Sequence, residues 1–150
     1  MSDLDEVECA IRGARDESDL PICTTLSFDT AGRTMMGVTG EDLVTRLRDL
    51  DVAAIGANCG NNIADTEAAV RQVLAGEPGV PVISKANAGI PEFRGDSLRY
   101  DGTPEVMAAH AHRIQQAGAS IIGACCGSTP EHIAYMAVSY THLRAHETSE

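Results

Sequence analysis

Three cysteines stand where their residue type and neighbours could do chemistry: Cys59 in Asn58-Cys59-Gly60, and the adjacent pair in Ala124-Cys125-Cys126-Gly127. A thiolate is both a nucleophile and a soft metal ligand. A thiol is also a small apolar side chain, so packing, a strained vicinal disulfide and a metal site are all open readings. The spacing is not that of a zinc finger, whose ligands come in C-x₂-C pairs. If the three converge, they supply three protein ligands and leave a fourth position open, the arrangement of catalytic zinc. Three thiolates around Zn²⁺ leave the centre at about −1, a poor polariser of carbonyls. A further thiol could join them, lose its proton and stay nucleophilic. That chemistry suits alkyl transfer to sulfur.

Convergence requires a scaffold that places both segments on one rim. Leu4, Val7, Ile11 and Ala14 recur at helical spacing behind Ser2 as a candidate cap. Short apolar runs at 20–26, 52–56, 80–85 and 119–123 read as strands. Between them lie helical stripes: Leu43, Val44, Leu47 and Leu50 behind Thr39, then Ala69, Val70, Val73 and Leu74 behind Asp65 and stopped at Gly76. Thr103-Pro104-Glu105 and Thr129-Pro130-Glu131 each open a helix with a cap, a proline in the first turn and an acid at the positive dipole end. The alternation predicts an α/β fold of about four βα units with parallel strands. Chemistry in such sheets sits at the carboxyl ends of the strands, which is where both cysteine segments fall.

At 150 residues the chain is too short for a complete (β/α)₈ barrel. Its net charge of −11 argues against a nucleic-acid partner. The acidic opening Met1 to Glu6 and the lack of a long apolar run predict a cytoplasmic chain with no membrane span. The five cysteines are then expected as reduced thiols, with Cys9 and Cys23 in the core. His110 and His112 are expected at the surface and His132 in a structural role, while Asp29 and Arg33 suit a rim turn or a donor contact. His142 and His146 stand four apart, but Leu143 occupies the place that a zinc-protease motif gives to Glu. Residues 138–150 shift abruptly in composition and resemble foreign read-through, which would leave 1–137 as the domain.

Gly56-Ala57-Asn58-Cys59-Gly60, followed by Gly123-Ala124-Cys125-Cys126-Gly127-Ser128-Thr129-Pro130-Glu131-His132, resembles the homocysteine S-methyltransferase signature. Asn87-Ala88-Gly89 is similar to that family's third-strand segment, and 27–39 to bacterial betaine–homocysteine methyltransferases. One departure is Ala124, where the family usually has Gly. The resemblance implies the C-terminal half of a (β/α)₈ TIM barrel, whose N-terminal half would precede Met1. It implies zinc on Cys59, Cys125 and Cys126, with Asn58 and Asn87 near homocysteine. The implied reaction moves a methyl group from a small donor, betaine first among them, to the zinc-bound thiolate of homocysteine, giving methionine. The homocysteine domain of a cobalamin-dependent methionine synthase is the nearest alternative, and a non-catalytic thiolate-zinc or redox module is a third.

Overall fold

The computed structural model describes residues 1–95 and 97–147. Helix α1 (Leu4–Glu17) starts one residue later than Ser2 would place it, because Asp3 accepts from the backbone of Asp5 and Glu6. A carboxylate there also meets the positive end of the helix dipole. Strand β1 (Cys23–Ser27) leads through a loop to α2 (Gly40–Leu47), where Thr39 and Asp42 form a capping box. Strand β2 (Ala54–Cys59) is followed by α3 (Ile63–Ala75). Asn62 caps α3 by accepting from Asp65 N–H at 2.8 Å, so Asp65 sits in the first turn rather than at the cap. After β3 (Val82–Ala86) a short antiparallel hairpin, β4 (Glu92–Arg94) and β5 (Ser97–Arg99), precedes α4 (Pro104–Ala117). The chain closes with β6 (Ile121–Ala124) and α5 (Pro130–Glu147).

The main sheet runs β1-β2-β3-β6 and is parallel throughout, as the alternation predicts. One register row joins Leu26, Ala57, Ser84 and Ile122, and the next joins Ser27, Asn58, Lys85 and Gly123. The first row lies on the helix-covered face: Leu26 and Ala57 belong to a core with Leu43, Val44, Val70, Val73 and Ile114. The second row lies on the opposite face, which none of the described helices covers. Among the described residues, no helix is long and apolar enough to cross a membrane.

Three expectations need correction. Cys9 and Cys23 are exposed, not core. Cys9 lies two residues from both Val7 and Ile11, hence on the far side of α1 from its buried stripe. Cys23 opens the outer strand β1 on the face away from the helices. His110 is fully buried, because α4 turns Met107, His110, Ala111 and Ile114 inward together. His112 is half-buried on the same helix. Helix α5 runs on past residue 137, where the composition shifts; the side chains of His142 and His146 lie outside the described part of the structure.

His110 bridges Ser84 Oγ at 3.4 Å and Glu67 at 2.9 Å, and Arg113 also donates to Glu67. Burial holds His110 below its ordinary pKa, so the folded ring stays neutral where the unfolded one takes a proton. Burial pushes Glu67 up, but the bonds from Arg113 and His110 outweigh it and hold the carboxyl low. Both shifts act in one direction. The unfolded state binds more protons, so stability should fall as pH drops through about 6.5 and again through about 4.5. His110→Gln should flatten the upper step, which urea midpoints between pH 8 and 5 would show.

Candidate metal centre

Two loops bring the three cysteines together. Strand β2 ends on Cys59, whose φ of 57° puts a non-glycine residue in the left-handed region. Thr66 Oγ1, in the first turn of α3, donates to the Cys59 carbonyl at 2.7 Å and holds that strained residue in place. Gly60 follows at φ 89°, where an added Cβ would come within 3.0 Å of the Phe28 carbonyl. The reversal turns the Cys59 side chain toward the end of β6, two strands away.

The second loop extends the parallel ladder by two residues. Cys125 N–H donates to Ala86 O at 2.9 Å, and Ala88 N–H donates to Cys126 O at 2.9 Å. Gly127, at φ 78°, then turns the chain under the Tyr100 ring, where a Cβ would lie 2.3 Å from the nearest ring carbon. Neither Thr66 nor Tyr100 carries a signal in the sequence, because their roles depend on contacts across loops.

The resulting thiol triangle is tight. Cys59 Sγ is 3.0 Å from Cys125 Sγ and 3.8 Å from Cys126 Sγ, and the adjacent pair is 3.9 Å apart. Among the described residues no other trio of His, Cys, Asp or Glu converges in this way. Tetrahedral zinc with bonds of about 2.3 Å sets its sulfurs about 3.8 Å apart. Two sides of the triangle match that span, and the third is closed by a thiol–thiol contact. All five cysteines are free thiols.

Burial, then the neighbouring Cys125 and Cys126, push the Cys59 thiol up to about 12, while Asn58 pulls the other way. Burial also acts against Cys125, but its bonds with Cys59 and Cys126 hold it below its ordinary value. Three thiols at this spacing cannot all ionise unaided, and a divalent cation is the charge that reverses the penalty. The donor set fits zinc: soft, compact, and partly exposed at Cys126.

Of the two asparagines, Asn58 lies in the row with Ser27 and Lys85, and its Nδ2 donates to Ser27 Oγ at 3.4 Å. Asn87 is half-buried between the two cysteine loops. His132 is buried against its own loop: Nδ1 accepts from Thr129 N–H at 3.0 Å, and Nε2 donates to Gly102 O at 2.9 Å. It ties α5 to the segment before α4. Asp29 and Arg33 belong to a local turn, in which Thr30 and Arg33 exchange backbone bonds and Arg33 donates to Gly37 O.

The family model for homocysteine S-methyltransferase matches residues 1–139. The methionine synthase of Mycobacterium tuberculosis is 28% identical over 97% of this chain and 13% of its own length. That of Mycobacterium leprae is 29% identical over 91% of this chain and 12% of its own. The apo form of the homocysteine methyltransferase MmuM from Escherichia coli superposes with a TM-score of 0.70 at 24% identity, over 93% of this chain and 46% of that one. Its metallated form gives 0.71 over 92% and 42%. The chain therefore spans under half of the solved relatives and about an eighth of the methionine synthases. The shared fold is that of four consecutive βα units of a (β/α)₈ barrel.

Proposed function

We propose that this chain, which belongs to the homocysteine S-methyltransferase family, is the metal-holding half of a barrel that methylates homocysteine to methionine. The convergence of Cys59, Cys125 and Cys126 within 4.8 Å at the strand ends carries the reading. These three residues would hold zinc, and the chemistry zinc supplies there is activation of a substrate thiol as a nucleophile. The protein's own work is placement. Thr66 and Gly60 fix the Cys59 turn, and the β3–β6 backbone bonds fix Cys125 and Cys126. Asn58, one row below, presents its amide on the face away from the helices, where an amino-acid thiol would lie.

Betaine is the methyl donor we favour, on the likeness of residues 27–39 to betaine-using enzymes. The two methionine synthases among its relatives support a second reading, a homocysteine domain served by a different donor. Residues 1–137 form the working unit in either case, residues 138–150 are foreign to it, and the unit works in the reducing cytoplasm. The test is methyl transfer from labelled betaine by the full polypeptide that carries this sequence, loaded with zinc. Homocysteine should exceed homoserine by about a thousandfold or more, because a hydroxyl stays protonated beside three thiolates. Comparable turnover of homoserine would remove the thiolate mechanism. Transfer from a methyl corrinoid or methyl folate, with none from betaine, would select the second reading.

A further inference from the structure

The turn that follows Cys126 is closed into a circuit of bonds. Cys126 O accepts from Ala88 N–H at 2.9 Å, and Ala88 O accepts from Gly102 N–H at 2.8 Å. Gly102 O accepts in turn from His132 Nε2–H at 2.9 Å. The other ring nitrogen, Nδ1, accepts from Thr129 N–H at 3.0 Å. Thr129 leads back along the chain through Ser128 and Gly127 to Cys126. His132 is the side chain that completes the circuit.

The packing leaves the circuit little freedom. Gly102 is buried, and a Cβ there would lie 2.6 Å from the Ala88 backbone, so the two segments touch along their main chains. Two residues earlier the Tyr100 ring lies on Gly127, the residue after Cys126. A shift of the 100–102 segment would therefore carry the Cys126 turn with it. His132 is 9% exposed and has both nitrogens engaged. Accepting from Thr129 at Nδ1 fixes the proton on Nε2, where the Gly102 carbonyl takes it. Without that donor the carbonyl would be buried and unpaired, which the segment can relieve only by moving.

We infer, on the reading of the three cysteines as the metal site, that His132 is a positioning residue for that centre. Through Gly102 O it holds the 100–102 segment where it seats Cys126 beside Cys59 and Cys125. Groups that orient metal ligands from behind contribute about ten- to a hundredfold to affinity. His132 acts through two backbone bonds, so its share falls at the lower end.

Two amides divide the work of the ring. Glutamine carries an N–H as many bonds from Cβ as Nε2, so His132→Gln keeps the donor to Gly102 and loses the Thr129 bond. Asparagine reaches only as far as Nδ1, so His132→Asn keeps the Thr129 bond and loses the Gly102 one. Thr39→Ala, which removes the cap of α2, controls for a general loss of stability. Zinc affinity and the cobalt(II) thiolate charge-transfer band are measured in the full polypeptide. Arsenite, which condenses with three nearby thiols and releases water, probes the metal-free protein. His132→Asn should lose about tenfold in zinc affinity, shift the cobalt band and slow arsenite capture. His132→Gln should match the unsubstituted protein in all three, and Thr39→Ala should lower only the urea midpoint. Unchanged affinity, band and capture in His132→Asn would overturn the assignment. So would equal losses in His132→Asn and Thr39→Ala, which would mark a general stability effect. His132→Gln also decides by itself, because a shifted band in it would refute the role of the Gly102 bond. Absence of zinc binding by the unsubstituted protein would defeat the parent reading, and arsenite capture would still decide the role of His132.

Discussion

Cys125→Ser is expected to weaken zinc binding by about a hundredfold or more, while Cys23→Ser leaves it unchanged. Thiolate sites bind zinc with an apparent free energy of roughly 10 kcal/mol or more, so one ligand of three or four carries on the order of 3 kcal/mol. Serine keeps the shape but holds its proton far above neutral pH and is a hard donor beside soft ones. Cys125 is also a corner of the thiol triangle, 3.0 Å from Cys59 and 3.9 Å from Cys126. Cys23 is an exposed thiol at the far end of β1. The measurement is competitive titration against a chromophoric chelator with a reductant present. Equal affinity in the two variants would remove the metal assignment.

Much of this centre was legible because strand ends are legible. Short apolar runs between capped helical stripes locate the rim, and Asn58-Cys59-Gly60 and Ala124-Cys125-Cys126-Gly127 fall on it whatever the loops do. Contacts between loops were not legible. The grip of Asn87 on Gly60 and Cys126 and the packing of Tyr100 on Gly127 join residues far apart in sequence, and the Thr66 bond to Cys59 depends on how the short β2–α3 loop folds back. The hairpin of β4 and β5 has only three residues per strand, too few for a clear alternation. His110 is a different case, because its signal was present. Met107, His110, Ala111 and Ile114 share one helical stripe, and that spacing outranks the usual exposure of histidine. Cys9 teaches the converse, since its position two residues from Val7 and Ile11 puts it outward despite its apolar character.

The 150-residue chain by itself is expected to transfer no methyl group above background and to associate. The main sheet has four strands, and β1 and β6 are its two outer members. Each outer strand has a row of backbone N–H and C=O groups with no strand beside it, a template for pairing with another chain. The face away from the helices adds to this. On its outer strand β6, Ile121 is 44% exposed, whereas Ile83 beside it in the same row is 6% exposed. In a closed barrel such positions are packed by side chains from opposing strands. The thiols are all present in these 150 residues, so zinc binding should persist while turnover is absent, which separates the metal site from the substrate site. Sedimentation should show dimers or larger species that dissociate when a polypeptide carrying the complementary strands is added, and methyl transfer should return with it. A monomer that unfolds cooperatively and methylates homocysteine would overturn the half-barrel reading.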